Sequence, residues 1–222
     1  MDKIVPRISS NLRRHLVTMP EEIRGASGII IWGMRVKSLI FSTDLAVIRN
    51  CNADAVLAVY PFTPQQVIAG AIIASSYIPV FCGVGGGTTG GPRCVALAQD
   101  AEASGAMGVV VNAPMTNGNV RMIREVLDIP IVVTVLKETT DIGARIEAGA
   151  SILNVSAGEQ TPEVVRAIRQ DFPDVPIIAT GGPTGDSISR TVEAGANAIS
   201  YTPPTTNQLF KEMMAKYRDI GF

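Results

Sequence analysis

Histidine is almost missing from this chain: His15 is the single one among 222 residues. A His-dependent catalytic triad and a metal centre built from several imidazoles are thereby excluded. Cysteine is scarce as well. Cys51, Cys82 and Cys94 are an odd number without CxxC spacing, which argues against a disulfide framework and a structural zinc site and fits a reducing cytoplasm. Charge is thin, with 18% charged residues and a net charge of -1, so nothing global advertises nucleic acid or acidic lipid as a partner. Any charged ligand must be met locally. Apolar runs are short, the stretch Gly28 to Trp32 being far below the roughly 20 residues that cross a bilayer, and Met1 to Arg7 does not lead into a signal-like apolar core. The expectation is a soluble, untargeted cytoplasmic protein with neither a membrane nor a nucleic-acid partner.

What the chain does have is a repeated way of opening an apolar run. Ala53-Asp54-Ala55-Val56, Gly105-Ala106-Met107-Gly108, Gly149-Ala150-Ser151-Ile152 and Gly195-Ala196-Asn197-Ala198 step in through small residues. Between them, Ile78-Pro79-Val80, Ile129-Pro130-Ile131 and Val175-Pro176-Ile177 step in through a branched residue and a proline. The two kinds strictly alternate, about every 20 to 27 residues, the spacing of a recurring strand, loop and helix. The runs are continuously apolar, as parallel strands buried on both faces require. They cover Ala55 to Tyr60, Pro79 to Gly83, Met107 to Asn112, Pro130 to Val135, Ser151 to Val155, Pro176 to Thr180 and Ala198 to Tyr201. Helix-compatible segments follow each, with Thr-Pro starts at Thr63-Pro64 and Thr161-Pro162 and glycine stops at Gly105, Gly149 and Gly195.

The pattern predicts an α/β chain forming a single (β/α)8 TIM barrel over residues 1–222, with 1–27 as an N-terminal helical extension. An eighth strand is needed before Asp54, and Gly28 to Trp32 competes with Ser38 to Phe41. Repeat spacing favours the earlier run. The later one is preferred, because Ser42-Thr43-Asp44 before Leu45-Ala46-Val47-Ile48 is an N-cap signal that marks a strand-to-helix loop.

In such a barrel the functional face is made by the loops after the strands. Thr180-Gly181-Gly182-Pro183-Thr184 lets backbone amides and a helix start approach an anion, or makes a tight turn and nothing more. The loop from Gly83 to Gly91 holds six glycines in nine residues, and reads either as an anion-holding lid in which Gly85, Gly86 and Arg93 take part or as a flexible connection. It lacks the Lys-Ser/Thr ending of a P-loop. Acid-base candidates at strand ends are Asp44 and Lys137, each with a structural alternative: Asp44 in the first helical turn, Lys137 paired with Glu138. Asn112 and Asn154 would orient a substrate carbonyl or hydroxyl, and Tyr60 and Tyr201 would donate hydrogen bonds or close the barrel top. Cys82 sits near a strand end but has no histidine to activate it and reads as a small buried hydrophobe. His15, beside Arg13 and Arg14, reads as surface. No cofactor and no metal are expected; a bound phosphate or sulfate fits the glycine loops, and homo-oligomerisation is left open.

Through Ile177-Ile178-Ala179-Thr180-Gly181-Gly182 and the small-residue strand openings, the chain resembles the phosphate-binding barrels of the ribulose-phosphate-binding type. It differs from them after the last strand, where Tyr201-Thr202-Pro203-Pro204-Thr205 replaces a glycine-containing loop. It is similar, in Val59-Tyr60-Pro61-Phe62-Thr63-Pro64, Gly83-Val84-Gly85-Gly86-Gly87 and Tyr201 to Thr205, to uncharacterised bacterial TIM-barrel proteins labelled only as hydrolases. The resemblance implies an enzyme acting on a small phosphorylated or carboxylated, anionic metabolite, of lyase or aldolase, isomerase or hydrolase type. The alternative is a non-catalytic metabolite-sensing barrel like the glycerol-operon antiterminator regulators.

Overall fold

A computed structural model describes residues 16–219 together with residues 4, 6 and 8. His15 and part of the expected N-terminal extension lie outside the described residues. Within that region, Glu21–Gly25 forms a short 3-10 helix whose Ile23 is buried in the core.

Eight parallel strands close into a barrel in sequence order: β3 (Ser38–Phe41), β4 (Ala55–Ala58), β5 (Val80–Gly85), β6 (Gly108–Val111), β7 (Ile131–Val135), β8 (Ile152–Val155), β9 (Ile177–Thr180) and β10 (Ala198–Tyr201), with β10 pairing back onto β3. A helix follows each: α1 (Leu45–Arg49), α2 (Gln66–Ser75), α3 (Pro92–Ala103), α4 (Asn117–Arg124), α5 (Ile142–Glu147), α6 (Thr161–Asp171), α7 (Gly185–Glu193) and α8 (Thr206–Asp219). This is the TIM barrel that the repeat predicts. Among the described residues, no helix is long and apolar enough to cross a membrane.

The alternating strand openings have a hydrogen-bonding reason. Pro79, Pro130 and Pro176 sit just before β5, β7 and β9, where a missing N–H costs no ladder bond, and their carbonyls accept from Val56, Val109 and Leu153 at 2.8, 3.0 and 2.9 Å. On the other side, the small-residue openings donate from Met107, Ser151 and Asn197 to the carbonyls of Val80, Ile131 and Ile177. Each proline-led strand is thus gripped at its start by both neighbours.

Ser38–Phe41 takes the barrel position, in agreement with the N-cap signal. Its register is set by Asp54, whose Oδ2 accepts from the amides of Lys37 and Ser38 at 2.9 Å and from the Ser38 hydroxyl at 3.0 Å. The earlier run instead makes β1 (Ile29–Ile31), which pairs antiparallel with β2 (Met34–Val36) across a turn with positive φ at both Trp32 and Gly33. The Gly28 amide donates to the Asn197 carbonyl at the foot of β10, so the hairpin lies at the amino ends of the strands.

Strand side chains alternate between two cores, as a pleated backbone demands. Outward residues such as Ile40, Val56, Val109, Val133, Leu153 and Ile199 pack under the helices. Inward residues such as Leu39, Leu57, Phe81, Val110, Val132 and Ile178 fill the barrel, and Ile29, Ile31 and Val36 of the hairpin join them from below. At the opposite, carboxyl end the apolar filling stops.

Candidate functional site

Above that filling, inward positions become polar. Thr134 and Asn154 stand directly opposite each other on β7 and β8, two residues beyond the buried pair Val132 and Ile152. They line a cavity of about 370 Å³ with Ser156, Asn112, Gly83, Gly85 and the loop residues Gly87, Thr88 and Thr89 on its polar side. Phe41, Leu57, Val59, Phe62 and Leu136 line its apolar side. Among the described residues, no lining side chain carries a charge at neutral pH.

Asn154 is the chemically exposed point of this cavity although it is only 7% accessible. Its Nδ2 donates to Thr134 Oγ1 at 3.3 Å. Its Oδ1 has no hydrogen-bond partner among the described residues. A buried acceptor left unpaired costs about 1–3 kcal/mol, and this one belongs to a residue that lines the cavity.

The glycine loop is folded back onto the barrel. The Gly86 amide donates to the Thr89 carbonyl at 2.9 Å, the Asn112 amide to the Gly85 carbonyl at 2.9 Å, and the Cys94 thiol to the Thr89 carbonyl at 3.1 Å. Gly86 has φ +103, and a Cβ there would stand 2.6 Å from the backbone N and O of Asn112. Only glycine fits that approach. The N–H groups of Gly87, Thr88 and Thr89 make no hydrogen bond among the described residues. They are free donors at the cavity wall.

A second cavity of about 600 Å³ adjoins the first and shares Phe41, Val59, Tyr60, Pro61 and Asn112 with it. Pro203, Pro204 and Val47 extend its apolar lining, and Asp44 is its one charged side chain among the described residues. Asp44 is the N-cap of α1: Oδ1 accepts from the amides of Ala46 and Val47 at 2.8 and 3.3 Å, while Oδ2 accepts from the Thr206 hydroxyl. The Thr206 hydrogen bond above all, with the two amides, holds its carboxyl below the usual aspartate range against the opposing effect of burial. Asp44 is thus the cap itself, one position before the first helical turn in which its structural alternative was expected, and it lines the cavity.

The other expected residues divide. Asn112 lines both cavities, its Oδ1 accepting from the Ala113 amide at 2.8 Å, and Tyr60 lines both, its Oη accepting from the Gln65 amide at 2.8 Å. Lys137 and Glu138 are exposed beyond β7 and line neither cavity. Arg93 is exposed on α3 and lines a separate depression with Gln65, Gln66 and Val67, so it does not join the glycine loop at the mouth. Gly181, Gly182 and Thr184 line neither cavity: a Cβ on Gly181 would meet Ile199 and Ile188 at 2.8 and 2.9 Å, and the Thr184 hydroxyl accepts from the Ser187 amide in a capping box. Tyr201 packs against the outer core. Cys82 does not view the mouth: parity turns it outward among the helices, and burial pushes its thiol up to about 12. Among the described residues no group of three or more His, Cys, Asp or Glu side chains is placed to hold a metal.

Thr134, Ser156, Thr88, Thr89 and the aromatic pair Phe41 and Phe62 were not singled out by sequence reasoning. A signal for Thr134 exists, since it is the lone polar residue in Ile131-Val132-Val133-Thr134-Val135 and falls on the inward parity.

No protein-family model matches the chain, and no curated protein does. Solved structures share its architecture. The chain resembles a phosphoenolpyruvate phosphomutase from Streptomyces platensis subsp. rosaceus at 14% identity, over 82% of this chain and 80% of that one, with a TM-score of 0.62. It resembles a 2,3-dimethylmalate lyase, a PEP mutase/isocitrate lyase superfamily member, at 15% identity over 90% and 86% of the two chains with a TM-score of 0.61. A 4-hydroxy-tetrahydrodipicolinate synthase from the methanotroph Methylacidiphilum fumariolicum SolV is 15% identical over 74% of this chain and 67% of that one, with a TM-score of 0.56. At these identities the likeness is one of fold.

Proposed function

We propose that this barrel is an enzyme that binds a small phosphorylated or carboxylated metabolite bearing a hydroxyl group and acts on it at the mouth, by lyase, isomerase or hydrolase chemistry. The observation that carries the reading is the unpartnered Oδ1 of the buried Asn154, in a cavity at the carboxyl ends of the strands. The substrate hydroxyl donates to Asn154, and its anionic end is held by the free amides of Gly87, Thr88 and Thr89, which supply partial positive charge where no cationic side chain lines the wall. Tyr60 is assigned the proton transfer at the reacting carbon or oxygen: its Oη accepts from the Gln65 amide, which leaves its own proton for donation into the cavity. Lys137 and Arg93 have no step in this scheme. The Thr180-Gly181-Gly182 segment lines neither cavity and takes no part in holding the anion in this scheme.

The test is retention from a mixture. Protein incubated with a small-molecule metabolite extract and repurified should carry one phosphorylated or carboxylated hydroxy compound by mass spectrometry, and Asn154→Leu should carry none. Equal retention by the variant, or retention of uncharged compounds alone, refutes the assignment.

One observation favours a second reading. With no charged side chain at the inner cavity and Asp44 engaged as a helix cap, the site is better furnished for holding than for reacting, as in a metabolite-sensing regulatory barrel. Incubating the retained compound with a hundredth of its amount of protein and following its NMR spectrum separates the two: conversion identifies the enzyme, and binding without conversion identifies the sensor.

A further inference from the structure

The inner and outer cavities share a wall that is mainly apolar: Phe41, Val59, Tyr60 and Pro61 belong to both, with Asn112 as its polar member. The outer chamber continues that surface with Val47, Pro203 and Pro204. Apolar side chains that a folded chain would ordinarily bury stand open here, Phe41 at 37% and Phe62 at 74% accessibility. Exposed apolar surface that adjoins a cavity holding an unsatisfied polar atom is what a ligand with both characters would cover.

From this we infer that the mouth is one two-chambered site, and that its ligand carries, beside the polar head in the inner chamber, an uncharged apolar group of about phenyl size lying across Phe41 and Tyr60 into the outer chamber. The inference rests on the preceding assignment of the head group. Chamber size agrees with it, since about 600 Å³ far exceeds what a three- or four-carbon acid fills. Electrostatics set the chemical limit. Asp44 is the sole charged lining residue of the outer chamber, and Thr206 and two backbone amides keep it anionic, so a second carboxylate or phosphate at the far end of the ligand is repelled. The ligand is therefore anionic at one end only. Asp44 becomes a specificity residue, which is compatible with its capping role because the cap uses its oxygens and leaves its charge in place.

The probes are lactate, 3-phenyllactate and 3-(4-carboxyphenyl)lactate. Each offers the carboxylate for the loop amides and a hydroxyl, which as both donor and acceptor serves Asn154 in either amide orientation. Calorimetric titration of the intact protein should give 3-phenyllactate a Kd at least about tenfold below that of lactate. The para-carboxylate should cancel the gain, and Asp44→Asn, which retains a capping side chain, should restore it. A crystal structure of the 3-phenyllactate complex should place the ring against Phe41 and Pro203. Equal affinity for lactate and 3-phenyllactate, or a ring lodged among Thr134 and Asn154, overturns this inference alone. Failure of all three acids to bind overturns the carboxylate head group and this inference together. Retention of the para-carboxylate's affinity overturns the role given to Asp44.

Discussion

Thr206 donates its hydroxyl to Asp44 Oδ2 across a sequence separation of 162 residues. The bond ties the first residue of α8 to the cap of α1, directly above the seam where β10 pairs with β3. At that seam the last strand of the chain pairs with the first strand of the ring, and the link fastens it from outside the sheet.

The link carries a pH signature. Because the Asp44 carboxyl lies below its ordinary value in the folded chain, its ionised form contributes stability that is complete above about pH 4 and is lost as pH falls through the lowered value. Thr206→Val removes the largest cause of that lowering. Thermal melts should show the variant below wild type at neutral pH, with the gap narrowing as pH is taken down to about 3. A gap that stays constant with pH would detach the hydroxyl from the carboxylate's titration.

Asn154→Leu should separate stability from binding. Replacing a buried amide whose Oδ1 is unpaired by an apolar side chain of similar size removes a penalty of about 1–3 kcal/mol, against which stands the loss of the Thr134 contact. Urea midpoints equal to or above wild type are expected together with at least a tenfold loss of ligand affinity. A clear loss of stability with affinity retained would make Asn154 a structural residue.

Neighbouring glycines in the loop should respond differently. Gly86→Ala puts a Cβ 2.6 Å from the Asn112 backbone at φ +103, and should cost about 2 kcal/mol or more in denaturant titration. Gly87→Ala meets nothing within 4 Å and should stay within about 0.5 kcal/mol of wild type. Similar costs at both positions would mean that the loop is not clamped on Asn112.

All three thiols are buried and all are shifted upward by burial, Cys82 to about 12. Native protein at pH 8 should therefore resist a chromogenic disulfide reagent, and three thiols per chain should react only after unfolding. Rapid reaction of one thiol in the native state would expose a mobile element over it, with the glycine loop above Cys94 as the first place to look.

The barrel was legible because its strand openings obey a backbone rule: a residue without an N–H is tolerated at one kind of position, and Pro79, Pro130 and Pro176 occupy it. The Ser42-Thr43-Asp44 cap resolved the first strand for an equally local reason. The site was less legible. Asn154, Asn112 and Tyr60 could be chosen from strand ends, but Arg93 and Lys137 were attractive for their charge, and whether a residue just past a strand turns inward depends on loop geometry that spacing does not encode. Cys82, read as a small buried hydrophobe, is one, and strand parity turns it outward among the helices. Thr134 was hidden by its neighbours, since a single hydroxyl in a Val-rich strand reads as ordinary β-propensity.

The β1–β2 hairpin has a kinetic consequence. By seating Ile29, Ile31 and Val36 against the inward residues of the barrel, it stoppers the amino end, so that among the described residues the polar inner cavity lies at the opposite, carboxyl end. A ligand of the inner chamber leaves by the route along which it came in. On the enzymatic reading proposed above, such a dead-end chamber sets an order of traffic: product holds off the next substrate until it has left, and inhibition by product should be competitive.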